Sequence, residues 1–307
     1  MILRVGTRQS ALAQTQTQAV IAQLKVLDPQ LEVETVLVTT TGDRMQKPEV
    51  PVLALKGSFT KELDDALRDG RIDLAVHSFK DIPPGPMPDL SIAAVPLRED
   101  AREAWISKTG TSFAQLSPGA CIGTSSVRRR ALLLRQRPDL NVIPLRGNVD
   151  TRLRKLREGS FEGIVLAYAG LKRLGLQEQA TEVLPLDTFL PAAAQGALAL
   201  VIRTADLSAS FAPWTTIFKL QHKPSYDAAL CEQTCLEVLA GSCHTPIAVH
   251  ALIQETRFSA HALVLDPEGR EACEAHIDRP YPCNPLLVGR ELAEMLITRG
   301  AERLLEA

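Results

Sequence analysis

The stretch Cys121-Ile-Gly-Thr-Ser-Ser-Val-Arg-Arg129 decides the fold class. A short apolar run enters a Gly-Thr-Ser-Ser turn, and an amphipathic segment, Ser125 to Gln136, then runs up to Pro138. That pattern predicts a strand, a capped turn and a helix. It has an earlier counterpart in Val5-Gly-Thr-Arg-Gln-Ser10, which leads into the amphipathic Ser10 to Leu27. A second pair matches as well: Gly70-Arg-Ile-Asp-Leu-Ala-Val-His77 against Gly159-Ser-Phe-Glu-Gly-Ile-Val-Leu-Ala167. A duplication of this kind predicts two similar domains facing each other across a cleft, with helix N-termini directed inward.

Outward from these motifs, Leu31 to Val38, Ile72 to Val76, Leu90 to Val95, Val142 to Leu145 and Gly163 to Ala167 have the apolar runs of strands. Ser58 to Leu67 and Asp150 to Arg157 have the spacing of helices that end at Gly70 and Gly159. The alternation predicts an α/β fold with largely parallel sheets. Val95 to Asp100 and Leu184 to Pro191 have the character of crossings between domains, the second leading back through Gln195 to Ile202. Beyond a Pro/Ser-containing stretch near Thr204 to Lys223, the chain predicts a smaller α+β unit. Its elements are a helix near Tyr226 to Ala240, strands Ile247 to Ile253 and His261 to Leu265, and a last helix opened by Asn284-Pro285 and stopped at Gly300.

Several arginines stand at the wrong end of these helices. Arg128 and Arg129 open one, and Arg146 and Arg152 flank Gly147-Asn-Val-Asp-Thr151, which opens another. A helix N-terminus already carries about half a positive charge, so cations there call for an anion. Arg8 and Ser10 repeat the theme, as does Lys172-Arg173 after Ala169-Gly170.

The whole chain is not basic: 34 Lys and Arg stand against 36 Asp and Glu, a net charge of −2, and aromatic residues are 4% of 307. This excludes a general nucleic-acid binder. With no stretch of 18 apolar residues and no signal-peptide pattern at Met1-Ile-Leu-Arg-Val5, the expectation is a cytoplasmic protein that does not engage membranes. In that compartment the six cysteines (121, 231, 235, 243, 273 and 283) are thiols.

Gly241-Ser-Cys-His244 puts Cys243 in a tight loop that suits a nucleophile or an attachment point, against the alternative of a small buried hydrophobe. Cys231, Cys235, Cys243 and His244 match no common zinc spacing, so no metal is expected. Val76-His-Ser-Phe-Lys-Asp81 ends a strand before Pro83-Pro84, which makes Asp81 a candidate for acid/base work or for holding a developing cation. The competing reading of Asp81 is a turn residue bonded to nearby backbone, and of His77 a core histidine.

Taken together, Thr7-Arg-Gln-Ser10, Val76-His-Ser-Phe-Lys-Asp81, Gly123-Thr-Ser-Ser-Val-Arg-Arg129, Leu145-Arg-Gly-Asn-Val-Asp-Thr-Arg152, Ala169-Gly-Leu-Lys-Arg-Leu174, Leu190-Pro-Ala-Ala-Ala-Gln-Gly196 and Gly241-Ser-Cys243 resemble the porphobilinogen deaminase (hydroxymethylbilane synthase) family. The resemblance covers nearly the whole chain. It implies two periplasmic-binding-protein-like (type II) domains, 1–95 with 191–207 and 96–190, and a smaller α+β domain, 208–307.

The implied activity belongs to tetrapyrrole and heme biosynthesis. A dipyrromethane cofactor, linked covalently to Cys243, primes the head-to-tail condensation of four porphobilinogen molecules with loss of ammonia, and water then releases hydroxymethylbilane. The resemblance implies a monomeric transferase in which Asp81 and Lys80 are catalytic. Ser10, Lys80, Asp81, Ser126, Arg128, Arg129 and Arg146 would hold the cofactor, and Arg8, Ser10, Lys56, Arg146, Arg152, Arg173 and Gln195 the substrate. Some positions depart from the family pattern: Val52, Ala54 and Leu55 in the loop from Thr40 to Phe59, Ala194 before Gln195, Gln233 upstream of the cysteine, and Ser242 beside it. The alternative is a non-catalytic two-lobed binder of polycarboxylates, which would need neither Asp81 nor Cys243.

Overall fold

The computed structural model describes residues 2–41, 60–208, 212–242 and 245–305. Expectations placed on Val52, Ala54, Leu55, Lys56, Ser58, Cys243 and His244 lie outside the described residues. The chain divides into two compact units, Met1–Glu99 with Ala197–Tyr226, and Asp100–Gly196 with Asp227–Ala307.

In the first unit β1 (Leu3–Arg8) pairs in parallel with β2 (Val33–Val38) and β3 (Leu74–Ser78). Strand β10 (Leu198–Arg203) then runs antiparallel to both β3 and β4 (Leu90–Ala94), which gives the order β2-β1-β3-β10-β4. Helix α1 (Ala11–Leu27) buries Val20, Ile21 and Leu24 against this sheet beside Trp214 and Ile217, and α2 (Lys61–Arg68) buries Leu63 and Leu67.

The second unit repeats the plan. Strand β6 (Cys121–Gly123) pairs in parallel with β7 (Asn141–Ile143) and β8 (Gly163–Ala167), and β5 (Glu103–Ser107) runs antiparallel to β8 and to β9 (Glu182–Val183). The order β7-β6-β8-β5-β9 is that of the first sheet position by position. Local contacts repeat too. Asp73 N–H donates to the Arg4 carbonyl at 2.8 Å and Glu162 N–H to the Cys121 carbonyl at 2.9 Å, while each acid's carboxylate accepts the amide of that same partner. A Cβ on Gly6 would lie 2.3 Å from Ile72, and one on Gly123 would lie 2.8 Å from Phe161, so glycine is what lets each turn approach its strand.

The matched motifs therefore do mark a structural repeat. The sheets, however, are mixed rather than largely parallel: β10 and β5 contribute antiparallel pairs that strand periodicity does not reveal.

A third sheet, β11 (Ile247–Gln254), β12 (Arg257–Leu265) and β13 (Ala272–Pro280), is antiparallel throughout and belongs to the second unit. One face, with Val249, Phe258, Ala262 and Ile277, packs on Cys231, Cys235, Val288 and Leu292. From the other face Ala248, Leu263 and Leu265 join Trp105, Leu132 and Leu133 in one core. Strand β13 has no counterpart in the sequence reading, because its exposed face carries Glu274, His276 and Asp278 and breaks the apolar run. The helix expected near Tyr226 to Ala240 runs Lys223–Val238, and the one expected from Asn284 runs Pro285–Thr298 with Asn284 as its cap. It is not the last: a short helix, Ala301–Leu305, follows Gly300 and buries Ala301 and Leu304. Among the described residues no helix is long and apolar enough to cross a membrane.

Packing between β5 and β8 depends on one missing side chain. A Cβ on Gly163 would fall 1.8 Å from the ring of Trp105, which is fully buried. Gly163→Ala is expected to cost about 3 kcal/mol, read as an earlier transition in chemical denaturation; an unchanged midpoint would show that the indole has room to move.

Candidate functional site

In the second unit the three parallel strands all end at one edge of the sheet, and each runs straight into a helix: β6 into α3 (Val127–Gln136), β7 through a loop into α4 (Val149–Arg157), and β8 into α5 (Tyr168–Arg173). This carboxyl edge is where open α/β sheets bind ligands. The topology therefore gathers Ser126, Arg128, Arg129, Arg146, Arg152 and Arg173, which are scattered over nearly fifty positions of sequence.

Ser126 is the N-cap of α3, its hydroxyl accepting the Arg129 amide at 3.4 Å. The guanidinium groups of Arg128 and Arg129 are buried, and both meet Glu103, which is fully buried. Arg129 grips that carboxylate with two bonds, Nε to Oε1 at 3.0 Å and Nη2 to Oε2 at 2.7 Å, and gives Nη1 to the Val165 carbonyl at 3.0 Å. Arg128 donates Nη2 to Glu103 at 2.9 Å and Nη1 to the Leu190 carbonyl at 3.1 Å. Burial pulls the Arg128 pKa down, with Glu103 opposing that shift. The anion that sequence reasoning required at these arginines is thus supplied in part by the chain itself. The signal for it was slight: one acid, Glu103, opening an otherwise apolar Ala-Trp-Ile strand.

Arg152 is different. It is half-buried, its Nε donates to the Gly147 carbonyl at 2.7 Å, and among the described residues it has no ion-pair partner. Burial, and then the charge of Arg129, push its pKa down to about 10. The cost of confining this cation is present at neutral pH, where the guanidinium stays charged, and is relieved by an arriving anion. Arg146 is half-buried in the loop before α4, its carbonyl accepting from Lys155 at 3.3 Å. Arg173 donates to the Gly196 carbonyl at 2.6 Å. Gln195 is fully buried, with its side-chain amide donating to the Ala101 carbonyl at 2.8 Å. Ala194, which departs from the glycine expected before Gln195, sits at φ 58°, a left-handed conformation, and its backbone N–H donates a hydrogen bond to the carboxylate of buried Glu232.

In the first unit the equivalent edge carries Arg8, the last residue of β1, with Ser10 just beyond it, and Lys80 and Asp81 after β3, its neighbour in the sheet. Ser10 caps α1, its hydroxyl accepting the Ala13 amide at 3.3 Å. Lys80 and Asp81 lie in a single 3-10 turn, Phe79–Asp81, anchored by buried Phe79, whose amide reaches the Ala197 carbonyl at 3.0 Å. Both side chains remain half-buried. Gln16 on α1 donates to the Ser78 hydroxyl at 3.0 Å and ties that helix to the end of β3. His77 is a core histidine, its Nε2 3.4 Å from Asp64.

Lys56 and Cys243, the remaining residues implicated, lie outside the described residues. Cys231 and Cys235 are buried on the helix preceding Cys243, and burial pushes both thiols up, Cys235 to about 12, so neither is a nucleophile at neutral pH.

Comparisons with known proteins agree in direction. Residues 3–210 match the family described as porphobilinogen deaminase, dipyromethane cofactor binding domain, and residues 226–298 match porphobilinogen deaminase, C-terminal domain. Among solved structures, a periplasmic VFT2 domain of Bordetella pertussis BvgS is similar with a TM-score of 0.42 and 15% identity, over 71% of this chain and 86% of that one. A porphobilinogen deaminase of Syntrophotalea carbinolica is 44% identical over 99% of this chain and 95% of its own length. One from Sorangium cellulosum is 41% identical over 98% and 95%. With matches of this extent along nearly all of its length, the chain belongs to the porphobilinogen deaminase family.

Proposed function

We propose that this chain is a deaminating transferase that condenses four porphobilinogen molecules head to tail on a dipyrromethane primer attached to Cys243, then releases hydroxymethylbilane to water. The observation that carries the reading is Arg152, a half-buried cation beside Arg129 with no carboxylate of its own among the described residues. Together Arg128, Arg129 and Arg152 set three guanidinium groups against the single carboxylate of Glu103. Such a surplus suits a ligand whose every pyrrole ring bears an acetate and a propionate.

The donor set fits the cofactor. Ser126, Arg128, Arg129 and Arg146, with Ser10, Lys80 and Asp81, would hold it, and when bound it supplies a pyrrole with a free α-carbon as nucleophile. Arg8, Ser10, Arg146, Arg152, Arg173 and Lys56 bind the carboxylates of incoming porphobilinogen; Gln195, expected among them, is fully buried with its amide on the Ala101 carbonyl, which speaks against direct contact with substrate. The Asp81 carboxylate accepts the substrate's pyrrole N–H and stabilises the positive charge that develops as its aminomethyl C–N bond breaks. Each addition forms one C–C bond and releases ammonia and the α-carbon proton, which Asp81 is suited to carry. Lys80, its neighbour in the turn, holds substrate carboxylate in place.

For the three-domain reading, 1–95 with 191–207, 96–190, and 208–307, the strands are the support, since those of each sheet fall within one of these ranges, whereas Trp214 and Ile217, within 208–307, pack in the core of the first unit. A cytoplasmic location fits the free thiols among the described cysteines, and the enzyme is proposed to act as a monomer.

Intact-mass measurement of protein from cells that make porphobilinogen should show two linked pyrrole rings, lost in Cys243→Ser; an unmodified wild type would remove the reading. Asp81→Asn is expected to keep the cofactor and lose about 10²- to 10⁴-fold in kcat, and near-normal turnover would take the catalytic role from Asp81. Arg152→Leu should raise KM by roughly 10- to 100-fold, the worth of a charge-assisted hydrogen bond. The same change should raise Tm of the ligand-free protein, because it removes a half-buried charge with no ion-pair partner among the described residues; a lower Tm with unchanged KM would make Arg152 a structural residue.

A further inference from the structure

The geometry points to Glu103 as a positioning residue that both aims the arginine pair and limits its charge, an inference that rests on reading these arginines as anion-binding groups. Glu103 is fully buried and binds Arg128 once and Arg129 twice, so one carboxylate sets the orientation of two guanidinium planes. Backbone carbonyls of Leu190 and Val165 complete the clamp. Of the five N–H groups on each guanidinium, Arg129 uses three and Arg128 two in these bonds, so neither guanidinium is saturated by them.

The charge count matters as much as the aim. The charge of Arg129 lowers the pKa of both Arg128 and Arg152, so it is the cation common to the cluster, and Glu103 is the acid bonded to Arg128 and Arg129. Without it the cluster would hold polycarboxylates more tightly and in the wrong orientation. A ligand that gains two carboxylates at every step must shift along the site as it grows, and excess charge would hold it back. Glutamine keeps the size of Glu103, but its amide NH₂ would face a guanidinium N–H. Aspartate keeps the charge but shortens the reach.

The test uses holoprotein, steady-state kinetics with porphobilinogen, and calorimetric binding of citrate as a polycarboxylate probe at two salt concentrations. Wild-type turnover is the control: if wild type does not consume porphobilinogen, the functional reading fails rather than this one. Glu103→Gln is expected to bind citrate at least threefold more tightly with a steeper salt dependence, to lose at least tenfold in kcat, and to show no rise in KM. Glu103→Asp is expected to keep wild-type citrate affinity while kcat falls. A Glu103→Gln variant with weaker citrate binding and raised KM, or with only its Tm altered, would overturn the proposal, as would citrate binding to neither protein. If Glu103→Gln does not fold, Glu103→Asp decides: unchanged kcat or weakened citrate binding overturns the role.

Discussion

The burial of guanidinium charge at the carboxyl edge of the second unit's sheet is the constraint on which its site depends. Removing one partner from a buried ion pair typically costs about 3–5 kcal/mol, because the remaining charge is left without compensation. Arg128 and Arg129 can open α3 only because Glu103 lies between them. Glu103 can do so only because β5 is antiparallel. A parallel strand ends at the carboxyl edge, whereas an antiparallel strand begins there, and the pairing of Glu103 with Ala167 brings the first residue of β5 to the last of β8. The mixed character of the sheet is therefore part of the site.

The repeated architecture makes the differences between the two units informative. In the first unit β10 occupies the place of β5, and its first residue, Leu198, pairs with Ser78 where Glu103 pairs with Ala167. An apolar residue thus stands where the second unit has its buried acid. Asp81, in turn, follows β3 at the position that Gly170 takes after β8, as the shared pairing of β1 with β3 and of β6 with β8 requires. One scaffold has been supplied with opposite chemistry: an acid in a short turn in one unit, arginines and a counter-anion in the other.

Helix starts were legible because they are local. Ser10, Ser126 and Asn284 each stand one residue before a helix, and each side chain accepts a backbone amide from the opening turn. The arginines were legible as an anomaly, since cations beside a positive helix end violate a local electrostatic preference. Strand β13 and the antiparallel places of β5 and β10 were not legible. Edge strands with polar outer faces lose their apolar signature, and the direction of a strand is set by its connections rather than by its composition. The hairpin between β11 and β12 turns on Glu255-Thr256, with Glu255 at φ 50° and no glycine to advertise it.

By itself the sequence determined the kinds of elements, the existence of a repeat and the need for an anion at a cluster of arginines, because caps, periodicity and charge act over a few residues. Only the tertiary structure decided which anion each arginine meets. Arg128 and Arg129 share an acid about 25 positions away, while Arg152, a turn and a helix further on, has none among the described residues. That assignment depends on strand order and direction, which bring distant residues to one edge of a sheet, and no local pattern encodes it.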